Sequence, residues 1–388
     1  MSDVLRISLE HSDSAAAVGG VGRRRGRLRS RFFLFMQRPT QPFLVVSALA
    51  TLALLCGCGP SLLYCPRTVK VPAPPIPQQH SSLVLFATDR YPESAEHLTF
   101  SANLNPAGDP MTYGAKCADP AGAKPDCEVP PVRLDKNGFL QRISAARSDV
   151  VLFVHGFNYT FDESLETTLR IVQRAKAPAT PVAYGWPSQG KVGAYGLDND
   201  MSEWTTDHLA DFIRDLTAAV PAPYRLHIVA HSMGNRALLM ALARLDLSRA
   251  RLGQLILMAP DVDTAIFKVL VARTGLFQHK TLYVSDHDLA LRAAGFLHAG
   301  TIRAGDAAKQ YLVMEDIDTI DMSLLRAGVF GHSMDEYSQV IFDDLSGVLK
   351  DDTAPQRNLT ACTVRSVQRL NEAQGTSLPC TVYRLPSK

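Results

Sequence analysis

From residue 149 onward, short apolar runs alternate with helical segments, and few folds accommodate such a pattern. Residues 149–154 read Asp-Val-Val-Leu-Phe-Val, an apolar run typical of a strand buried on both faces. Further runs of this kind occur at 181–186, 226–230, 254–258 and 280–284. Strands separated by helices predict an α/β fold, with a mostly parallel central sheet and helices on both faces.

The 388-residue chain divides by composition around this region. We predict, in chain order, a basic leader with a signal peptide at 1–57, a Pro-rich tether at 58–82, a main domain at 83–350 and a polar C-terminal tail at 351–388. Within the main domain, residues 91–148 are rich in Pro, Gly and Asn, which predicts a hairpin or irregular excursion at a sheet edge.

The formal net charge of +2 conceals an uneven distribution of charge. Residues 1–57 contain eight arginines and three acidic residues, so the remaining chain has 32 basic and 35 acidic residues. A nucleic-acid-binding body would present a basic face. The charge balance therefore argues against a nucleic-acid partner.

The leader ends in a pattern typical of a bacterial lipoprotein. An uncharged, mostly apolar run at 43–55 is followed by Cys56-Gly57-Cys58. The run is short for a transmembrane helix, which needs ~20 residues, but it fits a signal-peptide core. We predict lipidation of Cys58, with an uncleaved anchor helix as the alternative. Cys56 is an unusual residue at its position in the pattern.

A lipid on Cys58 would attach the body to a membrane of the bacterial cell envelope. Gly59 rather than Asp follows Cys58, so retention at the inner membrane is not signalled and we expect the outer membrane. The expected membrane contact is therefore the N-terminal lipid anchor.

The seven cysteines form no CxxC pair and no Cys/His spacing typical of zinc, so we expect no metal site. In an oxidising compartment, proximity in sequence predicts two disulfides, Cys117–Cys127 and Cys362–Cys380. Cys65 then has no nearby partner.

A candidate nucleophile lies between a predicted strand and a predicted helix. Residues 230–234 read Ala-His-Ser-Met-Gly, which matches the G-x-S-x-G nucleophile elbow except that Ala230 replaces the first Gly. The elbow is a sharp turn that raises a serine hydroxyl above the sheet, and small flanking residues let it pack. The motif predicts Ser232 as the nucleophile.

The sequence His155-Gly156-Phe157-Asn158 follows the strand at 149–154 and resembles an oxyanion loop. We expect the backbone N–H groups of Phe157 and Met233 to face a developing oxyanion. For His155 we favour a structural role. Trp186, after another strand, either lines the entrance to the site with an aromatic face or packs at the strand end.

Residues 83–349 resemble an α/β-hydrolase, and more narrowly the bacterial domain of unknown function family 900. The matching segments are LVLFATDR (83–90), VLFVHGFN (151–158), YGWPSQG (184–190), AHSMGNRAL (230–238), APDVD (259–263), VSDHDLAL (284–291) and VFGHSMDEY (329–337). The resemblance implies a serine hydrolase fold with a triad in the chain order Ser, acid, His.

The acid is expected after a strand that follows the elbow. Asp288 matches the D-x-A-L element of the family and is our choice, with Asp286 as the nearest alternative. Asp261 or Asp263, one strand earlier, is a second alternative. Asp288 could also cap the next helix.

His332, in a loop before the terminal helix, is the predicted base, with His287 and His298 as alternatives. His231 adjoins Ser232, but neighbouring side chains on a turn point apart, so we expect it to serve packing or orientation.

These residues together predict hydrolysis of carboxylic esters through an acyl-enzyme, with a small-molecule or lipid ester as substrate and no organic cofactor or metal. Only 19 residues separate two strands at 261–279, too few for a large cap domain there. The alternatives are amide, peptide or thioester hydrolysis, or a non-catalytic envelope protein that uses the fold for binding.

Overall fold

A computed structural model describes residues 82–94, 96–106, 111–119, 130–248, 250–325, 332, 334, 337–363 and 381–386. The predicted leader, most of the tether and the lipidation site Cys58 lie outside the described residues. Their assignments therefore stay predictions.

The described residues form one large sheet and a separate two-stranded hairpin. The strands are β1 (Leu83–Thr88), β2 (Arg90–Ser94), β3 (Thr99–Leu104), β4 (Thr112–Cys117), β5 (Val132–Leu134), β6 (Asp149–Val154), β7 (Ala179–Gly185), β8 (Leu226–His231), β9 (Leu252–Met258), β10 (His279–Val284), β11 (Asp318–Asp321), β12 (Thr360–Thr363) and β13 (Thr381–Arg384). Eleven strands pair in the order β12-β13-β11-β10-β9-β8-β6-β7-β1-β4-β5, and β2 pairs with β3.

Eight α-helices connect or flank these strands in the described part of the chain. They are α1 (Lys136–Ala146), α2 (Phe161–Arg174), α3 (Tyr195–Trp204), α4 (Thr206–Ala219), α5 (Gly234–Leu242), α6 (Thr264–Val271), α7 (Leu289–Leu297) and α8 (Gln339–Leu349). None of these helices has the length and apolar character needed to cross a membrane.

The centre of the sheet consists of parallel neighbours, in the spatial order β1, β7, β6, β8, β9, β10, β11 and β13. Antiparallel pairs lie only at its two edges, with β12 at one edge and β4 and β5 at the other. Successive side chains of a strand point to opposite faces. Accordingly, Leu152 packs in a core with α1, α4, α5 and α6, whereas Phe153 packs on the other face with α2 and α8. Apolar residues on both faces explain the continuous apolar runs, and the predicted fold class is confirmed.

Strands β9 and β10 are connected by helix α6, which has eight residues. No large domain is inserted at this connection, in agreement with the sequence prediction. The connection from β9 to β10 therefore adds no cap over the carboxyl edge of the sheet.

Part of the segment predicted as a polar tail belongs to the sheet. Strand β13 pairs in parallel with β11, and β12 pairs with β13. The Arg384 Nε donates to Asp321 Oδ2 at 2.9 Å, which adds an ionic contact between β13 and β11. The main domain thus extends beyond its predicted end at residue 350.

The predicted disulfide between Cys362 and Cys380 is wrong, because Cys362 has a free thiol. Cys362 lies on β12, where its side chain is partly exposed. Cys117 is disulfide-bonded, and its partner is outside the described residues, as is the predicted partner Cys127.

Residues 91–148 contain the hairpin β2–β3, the edge strands β4 and β5, and helix α1. Helix α1 was not expected, since Gly138 and Asn137 stand in its first turn. The Asp135 side chain caps it by accepting a hydrogen bond from the Gly138 amide at 2.6 Å. Burial of Phe139 and Ile143 against the sheet adds tertiary stabilisation that overrides weak local propensity.

Candidate active site

Ser232 occupies a strained turn between β8 and α5. Its φ of 51° lies in the left-handed region that non-glycine residues seldom adopt. Neighbouring backbone holds it there: the Ser232 amide donates to Met258 O at 3.0 Å, and the Asp261 amide donates to Ser232 O at 3.1 Å. The Asn235 side-chain amide also donates to Ser232 O, at 3.0 Å. The hydroxyl is thereby fixed at the carboxyl edge of the sheet.

Two glycines permit the close approach of this turn to the loop after β6. A Cβ on Gly234 would lie 2.2 Å from His155 O, and one on Gly156 would lie 2.8 Å from the Ser232 Cβ. Only glycine fits either position without movement of the backbone. Ala230, which replaces the first glycine of the motif, is fully buried without strain.

The three predicted triad residues meet at this turn. The Ser232 Oγ lies 2.7 Å from His332 Nε2, and His332 Nδ1 lies 2.6 Å from Asp288 Oδ2. With the Nδ1 proton donated to Asp288, Nε2 is free to accept the Ser232 hydroxyl proton. Ser232 is 4% exposed and Asp288 is fully buried, so the pair is largely shielded from water.

Asp288 uses both carboxylate oxygens. The Oδ1 atom accepts a hydrogen bond from the Leu291 amide at 2.9 Å and so caps helix α7, while Oδ2 binds His332. The capping bond fixes the carboxylate before His332 engages it. Both expected uses of Asp288 therefore coexist in one side chain.

The alternative acids are engaged elsewhere. Asp286 is 42% exposed at its side chain and lies 3.5 Å from His287 Nε2. Asp263 caps α6 by accepting from the Ala265 and Ile266 amides. Asp261 forms an ion pair with Arg303. Within the described residues, none of these carboxylates bonds to His332.

The alternative bases also lie away from Ser232. His287 is 71% exposed and pairs with Asp286. His298 Nδ1 lies 2.9 Å from Ala294 O at the end of α7. Of the described histidines, His332 is the one within hydrogen-bonding distance of the Ser232 hydroxyl.

The environment of His332 favours its charged form. Burial acts to lower the pKa of His332, but the charge and hydrogen bond of Asp288 and the charge of Asp261 raise it, and the net pKa is raised. An imidazole that accepts a proton from serine becomes positively charged, so these carboxylates stabilise the product of that transfer.

His231 supports the loop that carries His332. Its Nε2 donates to His332 O at 2.9 Å, and the two rings lie 4.8 Å apart. Burial, and then repulsion from His332, hold the pKa of His231 well below its usual value. His231 is therefore neutral at physiological pH, which fits orientation of His332 better than proton transfer.

The amides of Phe157 and Met233 have no hydrogen-bond acceptor among the described residues. Met233 precedes the first residue of helix α5, where N–H groups and the helix dipole favour negative charge. Phe157 follows Gly156, whose backbone abuts Ser232. Both amides thus belong to backbone segments that adjoin Ser232.

Of the two roles expected for Trp186, a substrate-binding aromatic face at the entrance is wrong, and packing at the strand end is what the structure shows. The side chain is 0% exposed, and its Nε1 donates to His155 O at 2.7 Å. Its ring stacks on His155 with centroids 4.9 Å apart. Trp186 faces inward because this bond and stack bury it against the loop that carries Phe157.

His155 is a structural residue of that loop. Its Nδ1 lies 2.9 Å from Gly156 O and its Nε2 lies 3.1 Å from Trp186 O. Burial, with a smaller contribution from Arg90, lowers the pKa of His155 to about 3. With its single proton on Nε2, the neutral imidazole donates to Trp186 O, links the ends of β6 and β7, and takes no part in proton transfer near neutral pH.

Sequence reasoning missed a buried arginine that supports the same region. Arg90 is 2% exposed and donates to Ser188 O at 2.9 Å and to Tyr159 O at 2.8 Å. Burial lowers the pKa of Arg90 to about 10, so it remains charged at neutral pH. The sequence showed that Arg90 belongs to the family segment 83–90. It did not show the hydrogen-bond partners of Arg90, because they are distant in sequence.

A comparison with protein families identifies the class to which this fold and site belong. The profile described as "Alpha/beta hydrolase of unknown function (DUF900)" matches residues 135–340. The chain belongs to this family of α/β hydrolases.

Two solved structures are similar to part of the chain. Lipase B of Aspergillus fumigatus is 14% identical, with 55% of this chain and 56% of that chain covered and a TM-score of 0.30. Phospholipase PlaB from Legionella pneumophila is 12% identical, with 56% and 66% covered and a TM-score of 0.28. The chain thus spans little more than half the length of the lipase it matches. Comparison with the curated proteins gives no match.

Proposed function

We propose that the protein is a serine hydrolase that cleaves carboxylic esters through an acyl-enzyme. The observation that supports this most directly is the hydrogen-bonded series from Ser232 through His332 to Asp288, with separations of 2.7 and 2.6 Å. Nucleophile, base and orienting acid lie within the range that such catalysis requires. The family assignment is consistent with this role.

In the first half of the reaction, Ser232 Oγ attacks the ester carbonyl carbon while His332 Nε2 takes its proton. The carbonyl oxygen becomes negatively charged and accepts hydrogen bonds from the Phe157 and Met233 amides. Each such donor is worth roughly 3 kcal/mol of barrier. His332 then protonates the departing alcohol, and the acyl group remains on Ser232.

In the second half, water attacks the acyl carbon and gives a proton to His332. The tetrahedral intermediate collapses, the carboxylic acid leaves and the proton returns to Ser232. Asp288 holds the imidazole in the required tautomer throughout and stabilises its charged form. This scheme uses side chains and backbone amides of the chain alone.

A fluorophosphonate probe tests the nucleophile. We expect it to label the wild-type protein and not Ser232→Ala. Ser144→Ala is a matched control, because Ser144 is exposed on α1 and its hydroxyl bonds to Leu140 O and Ala219 O. Absence of labelling in folded wild-type protein would refute the hydrolase mechanism and leave a binding role.

Substrate class needs a second measurement. p-Nitrophenyl esters of graded acyl length, compared with thioester and amide analogues, should show ester hydrolysis exceeding amide hydrolysis. A preference for amides would replace the ester proposal with a peptide or amide one. The short connection between β9 and β10 contains no cap domain that would exclude small-molecule or lipid esters.

We further propose that lipid on Cys58 anchors the protein to the bacterial envelope, at the outer membrane. Metabolic labelling with a fatty-acid analogue should mark the wild-type protein and not Cys58→Ser. Cys56→Ser is the control, and we expect it to keep the label. If Cys56→Ser loses the label and Cys58→Ser keeps it, the lipidated residue is Cys56.

A further inference from the structure

Beside the triad lies a Tyr–Asp–Arg trio that the proposed mechanism does not use, with a partly buried tyrosine and a buried Asp–Arg pair. Arg303 Nε donates to Asp261 Oδ1 at 2.6 Å, and a second guanidinium nitrogen donates to Asp261 O at 3.0 Å. The hydroxyl of Tyr195 donates to Asp261 Oδ2 at 2.7 Å. Asp261 and Arg303 are 3% and 2% exposed, so water does not compete strongly for these bonds.

The trio touches the site at two places. The Asp261 amide donates to Ser232 O at 3.1 Å, so the aspartate is tied to the nucleophile turn. The ring of Tyr195 packs edge-on against Phe157, with centroids 5.4 Å apart and planes at 71°. Phe157 carries one of the two amides assigned to the oxyanion. A continuous series of contacts therefore joins the serine turn to the oxyanion loop.

The segment that carries Arg303 is itself fixed. Ala304 donates through its amide to Val262 O at 2.8 Å, and Gly305 donates to Pro260 O at 3.0 Å. These bonds secure residues 303–305 against the loop after β9. Arg303 therefore provides a rigid anchor for the Asp261 carboxylate.

We propose that Tyr195 is a positioning residue that holds Phe157, and hence the oxyanion loop, at a fixed distance from Ser232, with Asp261 and Arg303 as its anchor. The inference rests on the proposed hydrolase function. Tyr195 touches no reacting atom in this scheme; it acts through the packing of its ring on Phe157.

Asp261 has a second effect, because it bonds through its amide to Ser232 O, and the Ser232 hydroxyl lies 2.7 Å from His332 Nε2. Among the described residues, Asp288 from the start of α7 bonds to His332, and the ring of His231 from the end of β8 packs against that of His332. Tyr337, before α8, packs edge-on against His231. Asp288 and Asp261 carry the charges that raise the pKa of His332. Removal of the Asp261 charge therefore disfavours the imidazolium.

Tyr195→Phe removes the anchoring bond and keeps the ring. Loss of one hydrogen bond that orients a transition-state donor predicts a decrease in kcat of about three- to tenfold, with KM within about twofold. The acid limb of the pH–kcat/KM profile should not move, because the Asp261 charge is retained. Tyr195→Ala, which also removes the ring, should lower kcat further.

Asp261→Asn tests the effect of the Asp261 charge on His332, whereas Tyr195→Phe tests the anchoring of Phe157. Removal of a negative charge lowers the pKa of His332, so the neutral base is available at lower pH and the acid limb shifts to lower pH. NMR of the histidine ring measures the pKa of His332 directly, in the absence of catalytic turnover.

A matched control exists on the opposite face of the sheet. Tyr283, Asp344 and Arg357 form a second buried Tyr–Asp–Arg trio, with Arg357 Nε 3.6 Å from Asp344 Oδ1. Tyr283→Phe and Asp344→Asn should leave kcat and the acid limb unchanged in folded protein. If the substitutions in the two trios change kcat and the acid limb equally, the proposal is overturned, and the changes reflect general destabilisation of the protein.

The outcomes distinguish this inference from the proposed function. An active wild-type enzyme whose Tyr195→Phe variant keeps kcat within twofold overturns the role of Tyr195. An unmoved His332 pKa in Asp261→Asn overturns the electrostatic link. A wild-type protein that neither hydrolyses esters nor reacts with fluorophosphonate refutes the proposed function itself, whatever the NMR shift.

Discussion

Asp288 binds His332 and caps helix α7 at the same time, through its two carboxylate oxygens at 2.6 and 2.9 Å. The helix start fixes the direction of the carboxylate, and the fixed carboxylate orients the imidazole toward Ser232. A structural bond of the fold therefore prearranges a bond of the candidate active site.

Asp288→Asn should separate these two uses. Asparagine is as good a helix cap as aspartate, so we expect the variant to fold. The amide cannot stabilise the imidazolium, and kcat should fall by roughly 10³- to 10⁴-fold. Steady-state ester hydrolysis measures this. Asp286→Asn is the control and should retain most activity; a severe loss there with a mild loss in Asp288→Asn would reverse the assignment of the acid.

Gly234→Ala should disrupt the nucleophile turn. A Cβ at this position would lie 2.2 Å from His155 O, so the backbone of the turn or of the loop after β6 must move. Overpacking of this kind costs about 1–3 kcal/mol, and here we expect the upper end or failure to fold. Gly275→Ala, with nothing within 4 Å of the added carbon, should leave the denaturant midpoint unchanged. Similar midpoints for both variants would contradict the packing described here.

The two tryptophans of the chain allow a test of the position of Trp186. Trp186 is 0% exposed, whereas Trp204 at the end of α3 is partly exposed. The Trp204→Phe variant should show blue-shifted emission that iodide does not quench. Trp186→Phe should leave emission that iodide quenches. In the Trp204→Phe variant, all tryptophan emission comes from Trp186. If iodide quenches this emission and an ester analogue prevents the quenching, Trp186 lines the entrance after all.

The buried neutral histidines predict loss of stability in acid. The pKa values of His155 and His231 are lowered in the folded state, so unfolding below the ordinary value of about 6.5 takes up protons. The stabilisation from both neutral histidines is complete above about pH 6.5 and is lost as the pH falls. For His155 the loss between pH 7 and 5 is about 2 kcal/mol. Denaturant unfolding at a series of pH values measures this loss.

His231→Gln isolates one of the two contributions, because glutamine can still donate to His332 O. The variant should lose less stability than wild type between pH 7 and 5. His208 and His332 act in the opposite sense, since their pKa values are raised and their stabilisation is lost as the pH rises. Identical pH dependence in the variant and wild type would refute the assignment to His231.

The parallel centre of the sheet was predictable because its strands are apolar on both faces. The run at 149–154 was placed at its observed bounds. Helix α2 also has a local signal at its start, since Thr160 and Glu163 form a capping box. Local signals of this kind act between residues that are near in sequence. Helix α1 had weaker local signals, and its tertiary packing was not visible.

At the candidate site, residue types and chain order indicated Ser232, Asp288 and His332, which the structure brings together. The inward orientation of Trp186 and the free thiol of Cys362 were not predictable, because each depends on neighbours that only folding supplies. Proximity in sequence predicted a disulfide at Cys362 wrongly, because Cys362 lies on strand β12 with its thiol unpaired.

The amino-acid order alone determined the alternation of strands and helices, the elbow around Ser232 and the order of the candidate triad, because these depend on periodicity and short-range turn chemistry. Tertiary structure decided which carboxylate reaches His332, where Trp186 points, and how Tyr195, Asp261 and Arg303 meet beside the serine. These contacts join residues 42 to 66 positions apart in the trio. Their energies depend on burial and distance, which arise only when the sheet and its connecting loops are assembled.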